Sequence, residues 1–161
     1  MNTQSPQTHC RLVLVTPPLD VENLPTARLT QALRGGDVAS LILPQYQMDE
    51  ATYETLLAQW TPIAQEKNVA VISSGELRFA KRQGLDGIHM VAGASEVRQF
   101  VEGQMDAMIV GATAGLTRHA ALEMGEARPD YVLFGKFGGD THANVHPKLA
   151  ELAQWWAQMV E

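Results

Sequence analysis

The sequence contains one cysteine, few aromatic residues and no long apolar run. Cys10 is the only cysteine among the 161 residues, which excludes an intrachain disulfide and a metal cage built from several thiolates. No apolar run is long enough for a signal peptide or a membrane span. We therefore expect a cytoplasmic protein with a disordered tail at residues 1–10. Residues 11–161 should form one domain, since 45% hydrophobic residues can supply a sizeable core.

Positive charge is also scarce. The 12 Lys and Arg residues are outnumbered by 18 Asp and Glu residues, which gives a net charge of -6 at pH 7. This balance argues against a nucleic-acid groove or an anionic membrane surface as the main partner. The composition favours small molecules or other proteins as partners, and no nucleic acid and no membrane.

The stretch 69–89 predicts the fold. Its apolar run 69–72 is typical of a strand buried on both faces, and a short basic helix with an apolar stripe follows. Gly84 should end this helix, and a second strand starts at Asp86. So short a helical connection between two buried strands predicts parallel pairing in a β-α-β unit.

The same alternation continues along the chain and gives six strand–helix units. The predicted strands are residues 11–16, 38–43, 69–72, 86–89, 107–110 and 131–134. The predicted helices are residues 24–33, 48–67, 77–83, 94–101, 116–124 and 147–160. Pro62 should kink or divide the second helix, because proline lacks a backbone N–H. Six units are two short of a closed β/α barrel, and an open doubly wound sheet is the alternative architecture.

Four short motifs carry a resemblance to a known family. Residues 84–89 (GLDGIH) resemble the GADGVH motif of the thiamine phosphate synthase family, which includes the TenI-type thiazole tautomerases. Residues 11–16 (RLVLVT) resemble its opening LYLVT strand. Residues 111–114 (GATA) and 130–135 (DYVLFG) resemble its GVSA and DYVGFG segments, and the four motifs follow the family's order.

The resemblance implies an α/β fold of the TIM-barrel type, thiamine phosphate synthase-like, with about six of eight β/α units in this chain. Either the chain is a fragment of a longer barrel, or two strands were lost and a partner covers the opening. An unclosed parallel sheet leaves backbone donors and acceptors of its edge strands unpaired. We therefore expect a homo-oligomer, or another protein that covers the open edges.

The resemblance also implies a transferase that joins a pyrimidine methyl pyrophosphate to a thiazole phosphate, releasing pyrophosphate with the help of Mg²⁺. Release of pyrophosphate develops negative charge, so such a site needs metal-binding carboxylates and cations. The family's asparagine, aspartate and arginine after the third strand fall here on Ser74, Gly75 and Glu76. A second metal carboxylate falls near Ala94, where a methyl group cannot bind metal. Mg²⁺ is thus expected for the family, while its ligands are not matched in this chain, and no other cofactor is implied.

The remaining candidates for phosphate contacts are hydroxyls and one lysine. Thr113 matches the family's hydroxyl at the end of the fifth strand, Ser74 follows the third strand, and Lys136 and Thr141 follow the sixth. In a TenI-type tautomerase a histidine comes soon after the fifth strand, but Gly115 occupies that position here. The resemblance therefore assigns substrate binding to Ser74, Thr113, Lys136 and Thr141, and no catalytic residue.

Histidines give two further hypotheses. Asp140, His142 and His146 form a D-x-H-x-x-x-H pattern whose side chains are competent metal ligands, although a solvated polar loop is the commoner outcome. His89 lies at the end of a predicted buried strand and is interpreted as a structural histidine, because no carboxylate nearby in sequence would orient it.

Three functions remain open from the sequence. The first is a thiamine phosphate synthase-type transferase in thiamine biosynthesis. The second is a family relative, a pseudoenzyme, that binds a small phosphorylated heterocycle without synthase chemistry, as the missing carboxylates favour. The third is a protein-interaction module in which the adjacent Trp155 and Trp156, together with the open sheet edges, meet another protein.

Overall fold

The computed structural model describes residues 10–19, 26–104, 107–135, 137 and 144–160. All six predicted strand–helix units are present, and each observed strand overlaps a predicted one. The elements in chain order are β1 (Leu12–Val15), α1 (Thr26–Ala32), β2 (Val38–Leu43), α2 (Glu50–Gln65), β3 (Ala70–Ser73), α3 (Leu77–Gln83), β4 (Gly87–Met90), α4 (Ala94–Gly103), β5 (Ile109–Thr113), α5 (Arg118–Glu126), β6 (Tyr131–Leu133) and α6 (Pro147–Met159). Residues 1–9 of the predicted tail, and the predicted start of the first helix at residue 24, lie outside the described residues.

The six strands form one parallel sheet whose spatial order follows the chain, from β1 to β6. In a doubly wound sheet the spatial order of the strands reverses part-way along the chain, so the observed order excludes that alternative. Helices α1, α2 and α3 contact one another in succession, and so do α4 and α5. The architecture is therefore the singly wound, barrel-type arrangement, with six parallel strands alternating with helices.

One face of the sheet supports the helices. Leu41, Leu43, Val71 and Ile88 belong to a single buried cluster that includes the apolar faces of α1, α2 and α3. Since side chains alternate along a strand, the intervening positions lie on the opposite, inner face. There, Ile42 and Ile72 are fully buried on β2 and β3, and the polar side chain of His89 is buried on β4.

Aspartates explain two of the family-like motifs in physical terms. Asp86 precedes β4, and its carboxylate accepts a hydrogen bond from the backbone N–H of Val71 on β3 at 2.7 Å. Asp130 precedes β6 and accepts in the same way from the N–H of Val110 on β5, also at 2.7 Å. Each aspartate thus fastens the start of its strand to the preceding one, through a charge-assisted bond.

Two expectations about the helices had different outcomes. Gly84 ends α3 in the left-handed conformation, at φ 63°, as predicted. Of the two effects expected of Pro62, division of the second helix is wrong, because α2 runs without interruption from Glu50 to Gln65, and a kink remains a prediction. Pro62 and the preceding turn at Ala58 lie on the exposed face, where water can hydrogen-bond the carbonyl that the proline leaves unpaired.

Tryptophans hold α6 against the body of the protein. The Trp156 ring lies 5.5 Å from the Phe134 ring, and a Cβ added to Gly125 on α5 would lie 2.6 Å from it. The Trp155 ring lies 5.2 Å from the guanidinium of Arg118. Both tryptophans are half-buried by these internal contacts, so their exposed parts alone are left for a partner.

The described sheet ends at β1 and β6, each of which pairs with one neighbouring strand. On β1 the side chains of Leu12, Val13 and Val15 are 51%, 50% and 37% exposed. This exposure fits the expected open edge, while self-association remains a prediction. Within the residues that the structure describes, no helix combines the length and apolarity needed to cross a membrane.

Candidate functional site

A polar cluster on the inner face joins three neighbouring strands. In the sheet register His89 on β4 pairs with Gly111 on β5, which in turn pairs with Tyr131 on β6. Thr113, the last residue of β5, lies two positions beyond Gly111 on the same face. Thr113 and His89 therefore lie towards the carboxyl ends of β5 and β4, which is where β/α barrels bind their ligands, and Tyr131 reaches them from the start of β6.

Gly111 makes this cluster possible. A Cβ at this position would lie 1.9 Å from Cζ and 2.3 Å from the hydroxyl oxygen of Tyr131. The Tyr131 ring thus lies directly over the glycine backbone and extends across β5 towards His89. Any side chain at residue 111 would displace the ring.

Hydrogen bonds on both imidazole nitrogens fix His89. Its Nδ1 lies 3.0 Å from the Tyr131 hydroxyl, and its Nε2 lies 2.8 Å from Oγ1 of Thr113. The Phe137 ring stacks on the imidazole, with ring centroids 4.2 Å apart and planes inclined by 4°. These contacts satisfy His89 as expected of a structural histidine, but they also connect it to the best candidate for a ligand contact, Thr113.

Burial keeps the cluster neutral. His89 is 2% exposed, and desolvation lowers its pKa from 6.5 to about 4. Desolvation also raises the pKa of Tyr131 above its ordinary value. Near pH 7 the imidazole is therefore uncharged, with one nitrogen that donates a hydrogen bond and one that accepts.

Ser74 lies in a second polar group, at the ends of β2 and β3. Its Oγ accepts a hydrogen bond from the backbone N–H of Gln45 at 3.1 Å, which ties the two loops together. Next to it, Tyr53 donates to the carbonyl of Leu43 at 2.5 Å and lies 2.8 Å from the hydroxyl of Ser73. Accepting one bond leaves the hydroxyl proton of Ser74 available to donate to a ligand.

The residues at the family's two metal positions do not fit Mg²⁺. A Cβ at Gly75 would lie 2.8 Å from Cε1 of Tyr53 and 3.1 Å from Cδ2 of Phe79, so this position faces the packed helices. Ala94 is the first residue of α4 and carries only a methyl group. No three potential metal-ligating side chains cluster among the described residues. Glu76, at the position of the family's arginine, is paired with Arg78 at 3.1 Å.

Several predicted site residues are not brought together by the described structure. Lys136, Asp140, Thr141 and His142 lie outside the described residues, so their proposed roles remain predictions. His146 is the exposed residue that precedes the first turn of α6.

The position of a tautomerase histidine is occupied by Gly115, where a Cβ would lie 2.5 Å from Cβ of Ala120. The next histidine, His119, is 84% exposed on α5 and lies 3.5 Å from Glu123. It therefore points to solvent from a helix and does not take the place of the missing histidine.

Sequence reasoning missed Tyr131 and Phe137 as members of the site. Tyr131 is 42 residues from His89 in the chain. The sequence does contain Gly111, which lies between them in the observed register, although it falls just after the predicted end of the fifth strand. A glycine between two ring-bearing residues on one face of a sheet allows the rings to meet.

Comparisons with known proteins agree with this fold. The family model described as thiamine monophosphate synthase matches residues 12–161. The thiamine-phosphate synthase of Rhodospirillum centenum is 33% identical over 96% of this chain and 75% of its own length. That of Hyphomonas neptunium is also 33% identical, over 99% of this chain and 75% of its own length.

A solved structure, thiamine phosphate pyrophosphorylase from Pyrococcus furiosus, superposes with a TM-score of 0.59 at 17% identity. The match covers 76% of this chain and 58% of that one, and at this identity it supports the fold alone. The family match and the curated relatives go further than the fold: this chain belongs to the thiamine monophosphate synthase family.

Proposed function

We propose that this protein acts in thiamine biosynthesis by binding a phosphorylated heterocycle at the carboxyl ends of its strands, without Mg²⁺-dependent transfer. The pyrimidine methyl pyrophosphate that the synthase reaction consumes is the ligand that fits the family best. The proposal is supported by family membership and by the neutral hydroxyl-bearing cluster on the inner face. In this proposal the protein shares the fold of its relatives and binds the ligand without catalysing the transfer.

The packing around Gly75 is the observation that supports the absence of Mg²⁺-dependent transfer. Cleavage of a pyrophosphate ester needs charge stabilisation at the leaving oxygens, which the family provides through metal-bound carboxylates. At residue 75 the space in front of the backbone is filled by Tyr53 and Phe79. A carboxylate added there would enter the packed helix layer, so this chain has no simple equivalent of the family's metal ligand.

Hydroxyl groups are the proposed ligand contacts. Thr113 and Ser74 both lie at the carboxyl ends of strands, and each hydroxyl can donate a hydrogen bond to a phosphate oxygen. Lys136 and Thr141 complete the proposed set, with Lys136 supplying positive charge. Bonds of this kind to a charged group are stronger than those between neutral partners.

A full thiamine phosphate synthase activity is the second candidate. It is favoured by the two relatives with 33% identity, both named thiamine-phosphate synthase. Formation of thiamine phosphate and release of pyrophosphate by the purified chain would establish this candidate and contradict the binder proposal.

Substitution of Thr113 tests the binding site. Titration calorimetry with the pyrimidine pyrophosphate should show that Thr113→Val weakens binding by about tenfold or more, since a hydrogen bond to a charged group is lost. Thr55→Val is the matched control, because Thr55 is exposed on α2 and bonds only its own helix through Ala51. Equal affinity of the wild type and Thr113→Val, or product formation, would contradict the proposal.

A further inference from the structure

We propose that Tyr131 and His89 are positioning residues that orient the hydroxyl of Thr113 as a hydrogen-bond donor to an anionic ligand. The inference rests on the proposed function, because it takes Thr113 as a ligand contact. It assigns a role to two side chains that need not touch the ligand themselves.

The geometry forms an unbroken hydrogen-bond chain across three strands. The Tyr131 hydroxyl lies 3.0 Å from Nδ1 of His89, and Nε2 of His89 lies 2.8 Å from Oγ1 of Thr113. Both distances are within the range of good hydrogen bonds. Phe137 stacks on the imidazole, which limits rotation of the ring out of this line.

The protons in this chain can be arranged in two ways while His89 is neutral. In the first, Tyr131 donates to Nδ1, and the proton on Nε2 is donated to Thr113. In the second, the proton lies on Nδ1 and is donated to Tyr131, and Thr113 donates to Nε2. Only the first arrangement leaves the Thr113 proton free to bond a ligand.

An anion that accepts a hydrogen bond from Thr113 therefore selects the first arrangement. Ligand binding and the position of the imidazole proton are coupled, since a ligand shifts an equilibrium towards the state that it binds better. Burial removes the charged imidazolium as a competing state near neutral pH. The selected state has its proton on Nε2, at the nitrogen that faces Thr113.

The coupling predicts a spectroscopic change that a purely structural histidine would not show. Nitrogen-15 NMR of the chain labelled at histidine distinguishes the two neutral forms of the ring, and His89→Gln assigns the signal among the five histidines. Addition of the pyrimidine pyrophosphate should move the His89 signal towards the form protonated on Nε2. A bound ligand with the proton remaining on Nδ1 would overturn the proposal.

Substitutions test each hydrogen bond between Tyr131, His89 and Thr113. Tyr131→Phe should weaken ligand binding by about tenfold, because the phenol that donates to Nδ1 is lost. His89→Gln should keep much of the affinity, since its amide can donate to Thr113, whereas His89→Leu should lose it. Tyr46→Phe is the control, because the Tyr46 hydroxyl bonds the carbonyl of Thr16 at the same end of the sheet. Wild-type affinity in Tyr131→Phe would overturn the proposal.

Spectra of the protein without ligand distinguish failure of this inference from failure of the proposed function. Without any ligand, Tyr131→Phe should change the His89 spectrum, and Tyr46→Phe should leave it unchanged. An unchanged His89 spectrum in Tyr131→Phe overturns the hydrogen-bond chain itself. Absence of ligand binding together with a changed spectrum overturns the proposed function, and with it the role of Thr113 as donor, but supports the coupling of Tyr131 to His89.

Discussion

Replacement of Gly111 by alanine should lower the free energy of unfolding by about 3 kcal/mol, the upper end of the usual cost of overpacking. The added Cβ would lie 1.9 Å from Cζ of Tyr131, and the ring can avoid it only by leaving its position over β5. This movement also breaks the hydrogen bond to His89. Urea denaturation followed by circular dichroism measures the change.

Gly103→Ala is the control for this experiment. A Cβ at Gly103 would meet no atom within 4 Å, and the residue is exposed at the end of α4. Its effect should stay within about 1 kcal/mol and favour the folded state, because alanine is the better helix former. Equal stability of Gly111→Ala and wild type would show that the Tyr131 ring does not lie where the structure places it.

Acidification should destabilise the protein through His89. The folded-state pKa is about 4, whereas the ordinary value is 6.5. Between these values the unfolded chain binds a proton that the folded chain does not, so stability present above pH 6.5 is lost as the pH falls towards 4. At about 1.4 kcal/mol for each pH unit between the two pKa values, the loss is about 3 kcal/mol.

Denaturation curves collected between pH 7 and pH 4 measure this slope. His89→Gln should flatten it, while His119→Gln, which changes an exposed histidine on α5, should keep it. Asp49 acts at lower pH, since hydrogen bonds from the backbone and side chain of Thr52 lower the pKa of its carboxyl. Identical slopes in wild type and His89→Gln would contradict the buried, neutral state of His89.

The sequence predicted the six units because each depends on local signals. Gly84 ends α3 through its own left-handed conformation, and the predicted apolar stripe of that helix is buried at Phe79 and Ala80. The boundary of β5 was less well predicted. The predicted strand ended at residue 110, just before Gly111, whereas β5 continues to Thr113. A glycine at residue 111 leaves room for the ring of Tyr131 on the neighbouring strand.

The candidate site depended on information that one-dimensional patterns do not contain. The line from Tyr131 through His89 to Thr113 arises from the register of three parallel strands, so no short motif records it. The resemblance to the family also implied that Gly75 takes the place of a metal-binding carboxylate. It could not show that this position faces Tyr53 and Phe79, because the direction of a Cβ in a loop follows from the packing around it.

The most direct test of the account is calorimetric titration of the purified chain with the pyrimidine pyrophosphate, in the presence and in the absence of Mg²⁺. The account predicts binding of equal affinity under both conditions, since hydroxyl donors and not metal-bound carboxylates hold the phosphates. Binding that requires Mg²⁺ would contradict it, because a metal site would then exist that the packing of Gly75 and the methyl group of Ala94 do not provide.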